Sequence, residues 1–149
     1  MKQYQFETQR LLIRNYCRKD VDEFIRVAEQ PEVYVTTCGI PHEYPRRMAK
    51  KWLSYVKNCI NSGISYEFAV ILKENGTYIG NVGLINLDRM HNHAEISYYT
   101  DRAYRCLGLT TEAASEMLRF GFSALGLHKI SGLYMSRNPA SGRVMESLV

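Results

Sequence analysis

Apolar residues alternate with polar ones in some stretches of the chain and recur every three or four residues in others, and the switches between the two periods predict its elements. "RLLIRNY", from Arg10 to Tyr16, is apolar and β-prone and predicts the first strand. In "KDVDEFIRVAEQPEV" the residues Val21, Phe24, Ile25 and Ala28 recur at helical spacing. Asp20 is expected to cap that helix and Pro31 to stop it. "VTTCGIPHEYP", from Val35 to Pro45, has the glycine and prolines of a loop. A second helix is expected from Arg46 to Asn61, with Met48, Trp52, Tyr55, Val56, Cys59 and Ile60 as its apolar stripe. "YEFAVILKENGTYIGNVGLIN" reads as a hairpin turning at "ENG", since Asn-Gly tolerates the positive φ of a tight turn. "HAEISYYTD", from His93 to Asp101, is a third alternating strand, followed by a turn and a helix to about Leu125. "HKISGLYMS", from His128 to Ser136, predicts another strand. "NPASGRVMESLV" predicts a short helix with Asn138 as N-cap and Pro139 in its first position. The order β-α-α-β-β-β-α-β-α predicts a mixed α/β domain whose sheet is largely antiparallel and whose last strand is entered through a helical crossover.

Composition narrows this picture. The 149 residues suit one domain, 1–149, of 46% apolar and 23% charged residues. No apolar run approaches the roughly 20 residues that span a bilayer, so no membrane partner is expected. "MKQYQFETQR" is too polar for a secretory signal. Cys17, Cys38, Cys59 and Cys106 are scattered, without the close spacing of a zinc or redox motif, and read as free thiols in a reducing cytoplasm. The net charge of +4 fits an anionic ligand or partner but is too small to imply nucleic acid.

The chemistry concentrates in "RCLGLTTEA", Arg105 to Ala113. A helix start offers unpaired N–H groups and the positive end of a dipole, and glycine lets the backbone curl around an anion. Gly108 supplies the glycine, Thr110 and Thr111 supply hydroxyls, Arg105 supplies a cation, and no acid precedes Glu112. GxxxxGK[ST] and GxGxxG are both absent, which argues against a nucleoside-triphosphate loop and a dinucleotide fold. By itself the turn reads equally as a capped helix containing a glycine. His91 and His93 have no third ligand at useful spacing, so no metal is expected. "PRRMAKKW" is basic on one helical face, a solvated surface or a patch for an acidic protein substrate.

Several separated segments in order, "ETQRLLIR", "IGNVGLINLD", "AEISYYTD", "YRCLGLTTEA", "LGLHKI" and "RNPAS", make the chain resemble the GNAT superfamily of acyl-CoA-dependent N-acetyltransferases, and within it the branch of ribosomal-protein N-terminal acetyltransferases. Arg105, Gly108 and Thr110 occupy the places of the branch's Arg/Gln-x-x-Gly-x-Gly/Ala turn. Thr110 departs from the small residue usual there, and Cys106 and Leu107 stand where glycine and a polar or basic residue are usual. The resemblance implies acetyl-CoA as cosubstrate, lying between the strands "AEISYYTD" and "HKISGLYMS". Ile96, Ser97 and Tyr98 would pair with its pantetheine, and the backbone N–H groups around Ser97 and Tyr98 would polarise the thioester carbonyl. The N–H groups of Arg105, Cys106, Leu107, Gly108, Leu109, Thr110 and Thr111 would hold its pyrophosphate, and Asn138 its pantetheine amide. Glu95 is the candidate base for a primary amine, from a protein N-terminus or a small molecule. Ser141 is the candidate proton donor to the thiolate, with Tyr98 and Tyr134 as alternative acids. The competing reading is a degenerate, non-catalytic acyl-CoA-binding or scaffold protein. Members of the family continue past "MESLV" with a glycine and a closing pair of strands. The chain is therefore expected to be C-terminally short, and either to pair as a homodimer along the exposed edge or to be a shortened form of a longer protein.

Overall fold

The computed structural model describes residues 2–35, 40–41, 43–132 and 139–148. Six strands form one sheet in chain order: β1 (Gln5–Glu7), β2 (Leu11–Arg14), β3 (Tyr66–Leu72), β4 (Thr77–Asp88), β5 (His93–Thr100) and β6 (Lys129–Ser131). The first five run antiparallel to their neighbours, and β5 and β6 are parallel. A parallel pair needs a crossover, which helix α4 (Leu109–Ser123) supplies. The other helices are α1 (Val21–Ala28), α2 (Pro31–Tyr34), α3 (Arg46–Ser62) and α5 (Pro139–Ser147). The mixed sheet and the helical crossover are those the sequence pattern predicts.

Strand alternation divides the buried residues into two groups. Phe68, Val70, Val82, Leu84, Ala94 and Ile96 pack with Ala113, Met117 and Phe120 of α4. Ala69, Ile71, Tyr78 and Tyr99 pack with α1 and with Ala49 of α3. On that second side Trp52 stacks on Phe24 at 4.7 Å and meets the Tyr16 ring edge-on at 5.3 Å.

Local readings differ from the structure in instructive ways. The first expected strand is β2, which ends at Arg14; Asn15 turns its side chain to accept from the Tyr4 N–H at 2.7 Å. That contact secures β1, three residues too short to show a period. Asp20 takes the N-cap position of α1, but its side chain makes no capping bond to that helix. It closes a short 3-10 turn, accepting from the Cys17 N–H at 2.8 Å and from both ends of the Arg14 guanidinium at 2.8 and 2.9 Å. Pro31 does not end α1, which stops at Ala28; it opens α2, where its missing N–H has no partner to lose. On α3, Met48 and Tyr55 are 44% and 60% exposed, and the small Ala49 holds the buried place instead. The hairpin turns as expected, with the Gly76 N–H donating to the Leu72 carbonyl at 2.8 Å. β5 ends at Thr100, α4 at Ser123 and β6 at Ser131; residues 133–136 of the expected last strand lie outside the described residues.

Candidate functional site

The end of β5 is fixed by a buried carboxylate. Asp101 is 1% exposed. It accepts from Arg26 at 2.8 Å, Gln30 at 3.0 Å and the Ala103 N–H at 3.0 Å. Burial alone would raise its pKa, but these donors outweigh burial and hold it below the ordinary value. The chain then makes a short 3-10 turn, Arg102–Tyr104, and enters α4 through residues 105–108.

Two residues of that entry have left-handed backbone, Cys106 at φ 64° and Gly108 at φ 77°. Gly108 is the N-cap of α4 and contributes no capping side chain. Glu112 is the residue whose N–H closes on the Gly108 carbonyl, at 3.0 Å. The N–H groups of Leu109, Thr110 and Thr111 therefore have no carbonyl behind them and point out of the helix end. Two cations flank this opening. Arg105 donates to the carbonyls of Glu32 at 2.9 Å and Thr100 at 3.3 Å, so it braces the turn against α2 and β5. Arg10 bonds the Leu107 carbonyl at 2.9 Å and the Glu112 carboxylate at 2.8 Å. Thr8 also donates to that carboxylate. Burial would raise the Glu112 pKa, but Thr8 and Arg10 lower it on balance, so it adds a neutralised acid to the helix start. Sequence reasoning missed Arg10 as part of the turn. Its only signal was membership in the segment "ETQRLLIR".

The departures from the family turn take a definite form. The Thr110 hydroxyl is turned onto the Thr100 hydroxyl of β5. Leu107 is 55% exposed. Cys106 keeps the left-handed geometry that glycine adopts freely, at a cost of roughly 1 kcal/mol. Cys106→Gly is accordingly expected to raise stability by up to about 1 kcal/mol, less the entropy that glycine loses on folding. A urea titration checks this, and a clear fall in midpoint would contradict it.

The other expected residues fall as follows. The described parallel pairing stops at Glu95↔Ser131, so Ile96, Ser97 and Tyr98 continue β5 beyond its described contact with β6. The Ile96 side chain is in the core, leaving its backbone for any ligand. The Glu95 carboxylate accepts from Asn86 at 2.9 Å, opposite a bulge in β4. Ser141 lies in the first turn of α5, but its side chain is outside the described set, as are Asn138 and Tyr134 altogether. The start of α4 meets the end of α5, where the Thr111 and Ser147 hydroxyls are 3.3 Å apart. His91 and His93 turn to different partners, Asp88 at 2.7 Å and Ser131 at 2.8 Å. Cys17, Cys59 and Cys106 are free thiols, and Cys38 lies outside the described residues. The basic face of α3 does not join the turn: Arg46, Lys50 and Lys57 line a separate cleft of about 860 Å³ with Arg14 and Arg18. No helix among the described residues is long and apolar enough to cross a membrane.

Comparison with known proteins agrees with this geometry. The family described as Acetyltransferase (GNAT) domain matches residues 10–148. An uncharacterized N-acetyltransferase p20 of Bacillus licheniformis is 26% identical over 141 residues, covering 95% of this chain and 79% of the relative. Among solved structures, a ribosomal-protein-S5-alanine acetyltransferase from Vibrio fischeri superposes with a TM-score of 0.82 at 21% identity, covering 97% of this chain and 81% of the other. RimL, a ribosomal L7/L12 alpha-N-protein acetyltransferase in complex with coenzyme A, gives 0.85 at 11% identity, with 97% and 82% covered. At these identities the structural likenesses establish the fold.

Proposed function

The chain belongs to the GNAT acetyltransferase family, and from that premise we propose that it transfers the acetyl group of acetyl-CoA to a primary amine through the turn at the start of α4. The observation that carries the proposal is this turn: outward N–H groups of Leu109, Thr110 and Thr111, a glycine N-cap, and Arg10 and Arg105 beside it. Residues 105–111 would hold the pyrophosphate. The backbone of Ile96, Ser97 and Tyr98 would hold the pantetheine and polarise the thioester carbonyl. Asn138 would hold the pantetheine amide. Bound acetyl-CoA supplies the activated acyl group.

The residues of this chain must deprotonate an ammonium, hold the carbonyl oxygen and protonate the departing sulfur. Glu95, on β5, is the proposed base that receives the amine proton, directly or through water. Ser141 is the proposed donor to sulfur. Ser141→Ala is expected to lower turnover roughly 100-fold while CoA binds nearly as before. Loss of CoA affinity with turnover spared would make it a binding residue instead.

The acceptor class is a protein N-terminus or a small-molecule amine, and the proposed compartment is the cytoplasm. The outer edge of β6 has no partner among the described residues, and an unpaired edge invites a second chain. We extend the proposal to a homodimer, which light scattering over a range of concentrations would refute by a constant monomer mass. Thiol release from acetyl-CoA with a panel of amines tests the activity itself. Silence with every amine, in protein that binds CoA, refutes it.

A further inference from the structure

Glu67 sits on β3 on the side of the sheet that also carries Ala69 and Ile71, and the strand register gives it an unusual outlook. It pairs with Gly83 of β4, and Gly83 pairs with Ser97 of β5. These three positions form one row across the sheet, ending on the strand proposed to hold the thioester. Between Glu67 and Ser97 there is no side chain. A Cβ at Gly83 would lie 2.8 Å from the Glu67 Cγ and 2.5 Å from the Tyr66 carbonyl, so the glutamate stem occupies the space left by the glycine. Glu95 is two residues from Ser97 and projects on the same side.

Glu67 opens onto a network of polar side chains. Asn81, in the next row, donates to its carboxylate at 3.4 Å. The Asn81 oxygen accepts from the Tyr16 hydroxyl at 2.7 Å, and Tyr16 and Tyr78 share a bond of 2.8 Å. The titratable groups that feel its charge are phenols: Tyr16, Tyr44, Tyr55, Tyr78 and Tyr99. Asp20 reaches Tyr78 but is already bound to Arg14, and Glu95 on β5 adds a second negative charge to that face. No lysine or arginine pairs with Glu67 among the described residues. Burial raises its pKa, and the Asn81 bond offsets this only in part. The residue still keeps some solvent contact, so water can reach it.

We infer that Glu67 is a second carboxyl of the proposed acetyl-transfer site and the place where the proton from the acceptor amine comes to rest. The inference rests on the function proposed above and extends its proton path inward. An ammonium N–H breaks, and the proton passes over Glu95 or the adjoining water to the Glu67 carboxylate, where an O–H forms. The freed amine attacks, the C–N bond forms and the C–S bond breaks. The second nitrogen proton goes to the sulfur by way of Ser141, and Glu67 returns its proton to solvent. A carboxyl held above its usual range is the better acceptor for a proton from an ammonium. Glu67 acts through water or Glu95 and is a positioning residue of the proton, not a group in contact with the acetyl carbon.

The test compares wild type, Glu67→Gln, Glu67→Asp and Glu95→Gln in thiol release with an accepted amine, from acid to alkaline pH. Glu67→Gln is expected to lose roughly 100-fold in kcat near neutral pH. The gap should close as the pH approaches the pKa of the amine, where no base is needed, and CoA affinity should be unchanged. Glu67→Asp should keep the acidic limb of the pH profile. Thermal melts add a readout that a structural carboxylate would move the other way. A raised carboxyl pKa means the folded state binds the proton more tightly, so the stability due to this group falls as pH rises above the unfolded value. Glu67→Gln should therefore melt no lower than wild type at neutral and alkaline pH. Equal turnover of Glu67→Gln and wild type across pH overturns the inference and leaves the acetyltransferase reading standing. So does an acidic limb that disappears in Glu95→Gln but persists in Glu67→Gln. Should wild type release no thiol with any amine, the function above falls. Infrared titration of wild type against Glu67→Gln then decides the proton-holding role, and the absence of a carboxyl titrating above the ordinary range overturns it.

Discussion

Gly108→Glu is expected to abolish CoA binding while the protein stays folded. The fold should survive because the position is open: among the described residues a Cβ at residue 108 would meet only the Arg10 Nη2, at 3.4 Å. The left-handed φ of 77° adds a cost of roughly 1–2 kcal/mol for any L side chain, which a domain of ordinary stability withstands. The ligand should not withstand the change. A carboxylate at the N-cap would stand in front of the three free N–H groups of α4 and beside Arg10, satisfying in place of a phosphate the groups meant for it. It would also repel the pyrophosphate. Gly108→Ala shares the backbone cost without the charge and separates the two causes. Titration calorimetry with CoA should show a loss of at least about 100-fold for the glutamate, close to 3 kcal/mol, and a modest loss for the alanine. Unchanged affinity in Gly108→Glu would remove the phosphates from this turn.

Asp101→Ala is expected to be the most destabilising single change near the site. The side chain joins α1, through Arg26, to Gln30 and to the first turn after β5. Its removal strands the Gln30 amide and the Ala103 N–H and leaves Arg26 with Glu23 and the Tyr78 carbonyl. Breaking a buried pair costs about 3–5 kcal/mol, and the lower figure applies because Arg26 is 42% exposed. That is a large share of a total of about 5–15 kcal/mol. The lowered pKa of Asp101 gives this stability a pH signature. It is fully present above the unfolded carboxyl value and is lost as pH falls through the folded one. Asp101→Asn, which keeps one acceptor oxygen, should lose less at neutral pH and should flatten the acid end of the stability curve. Denaturant titrations between strongly acid and neutral pH would show it, and a neutral-pH midpoint for Asp101→Ala equal to wild type would refute the account.

Period and turn chemistry made most of the sheet legible, because β5 opens with an alternating pattern and β3 and β4 are long apolar-rich runs joined at the Asn75–Gly76 turn. What failed was information that is not local. β1 has no period of its own and exists through Asn15 and its neighbour β2. Met48 and Tyr55 join the predicted stripe by being apolar, but a helix buries a face, and on α3 that face runs through Ala49, Val56 and Ile60. Pro31 reads as a stop because the sequence does not distinguish the end of one helix from the start of the next. In the site, the turn at Gly108 was visible because its chemistry is contiguous. Arg10 was not, because it lies 102 residues from Glu112. Glu67 was not, because its relation to Ser97 is a matter of register across two strands.

The clasp of Thr8 and Arg10 on Glu112 also orders events in time. Its partners are 104 and 102 residues apart, so most of the described chain must be made and collapsed before the clasp can close. Contacts of such long separation are paid for late, since closing the intervening loop costs entropy before any bond is gained. The α4 helix can form early from local interactions, but the arginine that borders its open end arrives only with the first two strands. A full-length chain refolding from the unfolded state thus has the helix before it has the finished pocket. Opening of this clasp during native fluctuations would release the turn without unfolding the sheet, and a bound CoA would then act chiefly as a brake on that opening.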